Sequence, residues 1–302
     1  MLLALRAPKL GVLPSKIGIN FNKQQILHPN LHYSSPILKS SLSFKCSLPC
    51  YCIKNRLTDS STEGFSVLSS EIPWERENIW SIMAMFMFSL HIPLGFGGLS
   101  IVAYLLHQSV LDPQTEILSL LILQILELIG VLILLSTTAK PEKKLLNFFK
   151  SYEYSKDRSW LVATLLGFGS LTLLVFLTSF LADVLVEPKD VNNPILKEIL
   201  LSNTTSKTAC VVVYCFVTPL LEEIVYRGFL LTSLASTVNW KTAVFLSSIA
   251  FSAAHFSGEN FIQLVIIGCV LGCCYSWTGN LSSSIAVHSL YNAFTLIITL
   301  MS

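Results

Sequence analysis

An all-α fold class, a polytopic membrane helix bundle with about seven spans around an internal polar cavity, is predicted by three observations. Hydrophobic residues make up 52% of the 302 and charged residues only 13%, with a mean hydropathy of +0.64, far from the balance of a water-soluble domain. Apolar runs near spanning length recur along the chain. Three of the runs in the C-terminal part carry ionisable or amide side chains at helical spacing, which points them toward a common interior rather than toward lipid.

Residues 1–58 stand apart. They hold eight basic residues (Arg6, Lys9, Lys16, Lys23, Lys39, Lys45, Lys54 and Arg56), no Asp or Glu, and serines clustered from Ser34 to Ser47. That is the composition of an organelle transit peptide, and the scarcity of arginine favours a chloroplast address over a mitochondrial one. The remaining chain is mildly acidic, with 12 basic against 18 acidic residues. It has no basic stripe with interleaved aromatics, so no nucleic-acid partner is expected. Residues 59–79 are polar, serine-rich and broken by Pro73; they are read as a linker, with Trp74 and Trp80 as interfacial anchors.

The membrane domain is expected over 80–302, with spans at roughly 80–106, 116–136, 160–186, 208–234, 241–256, 261–277 and 281–301. The fifth and sixth are short and would span only with little tilt or a locally thinned bilayer. In the first, Pro93 and three glycines of "HIPLGFGG" predict a kink, and His91 beside it is expected to bond a freed carbonyl. Glu127 is expected to be hydrogen-bonded inside the bundle, and Asp183 to reach the interface. The loop from Lys140 to Ser159 has six basic residues, which the positive-inside rule places on the stromal side. Turn residues at 188–194 precede a short amphipathic stretch expected on the membrane surface. Of the eight cysteines, Cys210, Cys215, Cys269, Cys273 and Cys274 fall in apolar helices and none shows CxxC spacing; they read as small buried hydrophobes.

The polar groups in the motif region, about 208–302, set the functional question. A charge at the centre of a spanning helix costs about 2.5–3.5 kcal/mol. In "LLEEIVYRGFL", Glu223 and Arg227 are four apart in the favourable order for an ion pair. Glu222 points about 100° away and is left over. In "FSAAHF", Phe251 can brace His255 from one turn earlier, and in "AVHSLYNAF" His288 and Asn292 share a face.

"EEIVYR", "FSAAH" and "HSLYN" resemble, in order, the EExxxR, FxxxH and HxxxN motifs of the CAAX-prenyl protease and bacteriocin-processing family, also called the abortive-infection family. The resemblance covers about the last 100 residues, from Val211 onward; the transit-like leader would make this a plant plastid-type member. It implies a helix bundle around an internal cavity and an intramembrane endopeptidase acting on a membrane-associated protein. Glu222 would be the general base, His255 would position the attacking water, His288 and Asn292 would serve the oxyanion, and Glu223, Arg227 and Phe251 would support them. No cofactor is expected. Zinc is the alternative, with Glu222, His255 and His288 as ligands, although there is no HExxH and the three come from separate helices.

The leading reading is therefore a CAAX-type peptidase embedded in the lipid bilayer of a chloroplast membrane, thylakoid or inner envelope. A non-proteolytic scaffold or partner-stabilising protein on the same fold is the alternative. A proton-coupled transporter using the polar cluster as a relay is the third reading, against which no inverted repeat is visible.

Overall fold

In the computed structural model, residues 64–69, 71–141, 158–185 and 194–301 are described. The transit-peptide reading, most of the 140–159 loop, the turn at 188–193 and the side chain of Asp183 lie outside the described residues. The described residues form eight helices: α1 (Arg76–Leu105), α2 (Pro113–Thr138), α3 (Trp160–Leu185), α4 (Pro194–Leu201), α5 (Thr204–Ala235), α6 (Trp240–Ala254), α7 (Phe261–Thr278) and α8 (Leu281–Met301). Among the described residues, six of them, α1, α2, α3, α5, α7 and α8, are long and apolar enough to cross a membrane. The other two fall short: α4 has 8 residues, and the 15 of α6 extend only about 22 Å, below the hydrocarbon thickness of about 30 Å. The expectation of a seventh span at 241–256 is corrected accordingly.

Local chemistry explains where the helices begin and bend. The Asp112 carboxylate accepts from Thr115 N at 3.0 Å ahead of Pro113, and hydrogen bonds from the Thr115 side chain and backbone hold its carboxyl below the usual range. Asn203 and Asn239 cap α5 and α6 through Ser206 N and Thr242 N. α7 stops at Gly279, whose φ of 62° closes the helix in the left-handed conformation. Pro93 lies within an 11-residue π-helical stretch of α1, Met87–Gly97. α5 has two such stretches, Val213–Val217 and Ile224–Leu231, flanking the short α-helical turn that carries the paired glutamates. Such bulges redirect side chains that a regular helix would place on other faces.

One apolar core joins Phe86 of α1, Val131 and Leu135 of α2, Leu171 of α3, Leu230 of α5, Phe251 of α6 and Leu271 of α7. A second, smaller cluster holds Ile117, Leu196, Ile199, Val213 and Leu296. That cluster takes the apolar face of α4, so the amphipathic stretch expected to lie on the membrane surface covers its hydrophobic side with protein. Outward residues such as Phe88, Leu165, Phe176, Ile262 and Ile297 are exposed, as lipid-facing positions should be.

Trp74 departs from expectation. It is fully buried, its indole N–H donates to Leu135 O at 3.1 Å, and its ring meets Phe229 edge-on at 4.8 Å. The anchor role is thus corrected for Trp74, whereas Trp80 is 57% exposed. The polar stretch read as a linker packs back on the bundle: Val67 N donates to Ser276 O at 3.0 Å, Phe65 stacks on Trp240 at 4.5 Å, and Arg158 donates to the carbonyls of Gly64, Phe65 and Trp277.

Candidate active site

Glu223 and His288 are wholly buried, Arg227 and Asn292 are 1% exposed, and Glu222 is 8% exposed. Charges at that depth must be paired. Arg227 Nη1 donates to Glu223 Oε1 at 2.8 Å, from one turn later on α5, and Arg227 Nη2 donates to Gly268 O of α7 at 3.3 Å. His288 Nδ1 of α8 donates to the same Glu223 oxygen at 2.8 Å. The pair is thereby neutral, and it fastens α5 to α8 through the carboxylate and to α7 through the guanidinium.

These bonds fix the tautomers. With Nδ1 donating to Glu223, Nε2 is the acceptor nitrogen of His288. His255, at the C-terminal end of α6, reaches the same state differently: its Nδ1 lies 2.7 Å from Phe251 O, and a carbonyl can only accept. Both Nε2 atoms face Glu222, His255 at 3.7 Å from Oε1 and His288 at 3.8 Å from Oε2. Those separations are too long for a direct hydrogen bond and suit acceptors that share one bridging water. Glu222 Oε2 has no hydrogen-bond partner. The arrangement can hold and polarise a molecule that donates two hydrogen bonds, as water does.

Phe251 is the packing centre of this constellation. Its ring lies 4.5 Å from the Arg227 guanidinium carbon, 4.7 Å from the His255 ring and 6.4 Å from the His288 ring. The aromatic face thus balances the guanidinium while its backbone carbonyl sets the His255 tautomer. Asn292, one turn after His288 on α8, is held by backbone: its Nδ2 donates to Tyr214 O in the first π-helical stretch of α5 at 2.8 Å, and its Oδ1 is buried with no partner. One amide N–H is therefore committed to the backbone and one remains.

Two features escaped the sequence reading. Tyr226 packs edge-on against Phe251 at 5.2 Å, and its buried hydroxyl has no partner; its position four after Glu222 was an available signal. His91 was expected to bond a freed carbonyl and does so at Ala254 O of α6, at 3.2 Å, and Glu127, expected to be hydrogen-bonded inside the bundle, meets His91 Nδ1 at 2.7 Å across 36 residues. Nothing local in the sequence announces that pairing.

Among the described residues, no group of three or more His, Cys, Asp or Glu side chains has the geometry of a metal site.

No curated protein and no solved structure matches the chain. Residues 204–294 match the family model described as type II CAAX prenyl endopeptidase Rce1-like. That stretch contains the glutamates, His255, His288 and Asn292, so the three motifs that carry the resemblance all lie where the chain is similar to this family.

Proposed function

We propose that this protein is an intramembrane endopeptidase that hydrolyses a peptide bond of a membrane-associated protein with water activated by Glu222. The observation that carries this reading is the Glu222 carboxylate, one oxygen unpartnered, opposite the Nε2 acceptors of His255 and His288 at 3.7 and 3.8 Å. Glu222 takes a proton from the bridging water as its oxygen attacks the scissile carbonyl carbon, and returns that proton to the leaving nitrogen. His255 accepts the water's second hydrogen bond and aims it. His288 would need a proton on Nε2 to donate, so in its resting tautomer the oxyanion falls to the uncommitted N–H of Asn292. Glu223 and Arg227 hold His288 and the register of α5. No metal or other cofactor is assigned to this route.

Support beyond the geometry comes from the match to the Rce1-like family model and the membrane-length helices. A chloroplast membrane, thylakoid or inner envelope, is the proposed location, on the strength of the basic, acid-free first 58 residues. The test is expression of wild type or Glu222→Gln in chloroplasts lacking the protein, with the N- and C-termini of membrane proteins compared by mass spectrometry. New termini are expected with wild type, at least about 100-fold depleted in the variant. Identical termini at equal protein levels would overturn the reading and favour the scaffold.

A further inference from the structure

The C-terminal turn of α6 presents four carbonyls that the helix itself cannot satisfy. Each has a partner, and the partners are informative. Phe251 O accepts from His255 Nδ1, Ser252 O from His255 N, and Ala253 O from Phe256 N. The fourth, Ala254 O, accepts from a different helix: His91 Nε2 of α1, at 3.2 Å. The residue it fastens is the one immediately before His255. The chain then turns through Phe256 at a φ of 48°, a left-handed conformation costly for an aromatic residue, which persists only where its surroundings over-determine it. Phe96, from the same π-helical stretch of α1 as His91, packs edge-on against Phe256 at 5.0 Å and against the His91 ring at 5.5 Å.

His91 is itself held from α2. Its Nδ1 lies 2.7 Å from Oε1 of Glu127, a wholly buried carboxyl. Because Ala254 O can only accept, Nε2 carries the hydrogen of that bond, and Nδ1 is the nitrogen that meets Glu127. The chain of contacts goes on from Glu127 Oε2 to Gln124 Nε2 at 3.5 Å, and from Gln124 Oε1 to Thr218 Oγ1 at 3.4 Å. Thr218 lies on α5 one turn before Glu222. A polar strap thus runs from the helix that carries the glutamates, through α2 and α1, to the backbone that carries His255. It is drawn largely from outside residues 204–294.

We infer that His91 and Glu127 are a positioning pair that fixes the His255 ring opposite Glu222, by bonding the Ala254 carbonyl and locking the His255–Phe256 corner. This rests on the peptidase reading above. Neither residue touches the water or the scissile bond; both act through the backbone of α6.

The experiment uses the full chain in proteoliposomes with a fluorogenic peptide ending in a farnesylated CAAX sequence. Four variants accompany wild type: Glu222→Gln, His91→Gln, His91→Met and Glu127→Gln. His91→Gln and His91→Met are close in shape, but only the amide still donates to Ala254 O. His91→Met is expected to lower kcat about 10- to 100-fold, the loss that displacement of a catalytic group by about 1 Å produces, with KM within about twofold. His91→Gln and Glu127→Gln should stay within about threefold of wild-type kcat, since each amide can replace the hydrogen bond it inherits.

A His91→Met kcat near wild type, a loss confined to KM, His91→Gln falling as far as His91→Met, or disappearance of His91→Met from the monodisperse fraction would each overturn the inference, the last by making His91 a folding residue. The two readings fail distinguishably. A Glu222→Gln variant as active as wild type removes the peptidase reading and the positioning pair with it. Active wild type, inert Glu222→Gln and unchanged His91→Met remove the pair alone.

Discussion

Arg227 is the residue on which the buried charge balance of the site depends. It is 1% exposed, donates to Glu223 and to Gly268 O, and faces the Phe251 ring. Arg227→Met leaves the Glu223 carboxylate without its cation, a defect worth about 3–5 kcal/mol when a buried pair is broken from one side. A large drop in the detergent-solubilised melting temperature is expected. Arg227→Lys keeps the charge but not the planar fork that serves two acceptors at once, so its melting temperature should fall between those of wild type and Arg227→Met; a value equal to wild type would show that the contact with Gly268 O contributes nothing. Trp74 gives a second case at this scale. Trp74→Phe keeps an aromatic ring against Phe229 but removes the indole donor to Leu135 O, leaving only the 3.5 Å contact from Thr138 Oγ1, and should cost about 1 kcal/mol in unfolding free energy. A tryptophan anchored at the lipid interface would tolerate the same change with little effect.

Between elements, the tightest approach near the site is α6 against α7. A side-chain carbon added at Gly268 would lie 2.8 Å from Ser248 Cβ and 3.0 Å from its Cα, and one at Gly272 would meet Val244 at 3.1 Å. Small residues four apart let two membrane helices pack backbone to backbone, and the Gly268 carbonyl is also the one that receives Arg227. Gly268→Val is therefore expected to push the helices apart and cost about 1–3 kcal/mol by overpacking, with cleavage reduced because α6 carries His255. Gly169 has nothing within 4 Å of the same hypothetical carbon, so Gly169→Val is the control; equal losses from the two substitutions would sink the close-packing account.

The same level shows what a sequence can and cannot reveal. The Glu223–Arg227 pair and the Phe251–His255 brace were legible because both are one helical turn apart and helix geometry alone brings them together. The His91–Glu127 bond spans 36 residues and the His91–Ala254 bond 163, so only the packing of α1, α2 and α6 creates them. Trp74 was misread for a related reason: composition around it is polar, and its burial depends on a chain that folds back over α2 and α5. The end of α6 was placed two residues late because apolar character continues past the turn at His255 into Phe256, where the backbone has already left the helix.

At the scale of the molecule, the three motifs lie within 204–294, yet that stretch does not close its own core. Trp74, Phe86, Val131, Leu135 and Leu171 are buried in the same cluster as Leu221, Val225, Phe229 and Leu230 of α5. Removing everything before residue 194 would strip those partners and leave the buried pair of Glu223 and Arg227 behind a thinner wall. In a bilayer, lipid can cover the exposed apolar faces at little cost, because helix association there does not rest on the hydrophobic effect. What lipid cannot replace is the polar complement, above all the His91 donor to Ala254 O. The C-terminal fragment 194–302 is therefore expected to insert into membranes but to cleave nothing, and to lose the sharp thermal transition of the full chain. Co-expression with the fragment 64–193 should restore both if the two parts find each other in the bilayer. Full activity from 194–302 alone would mean that the motif helices are self-sufficient and that the N-terminal helices serve only to anchor them.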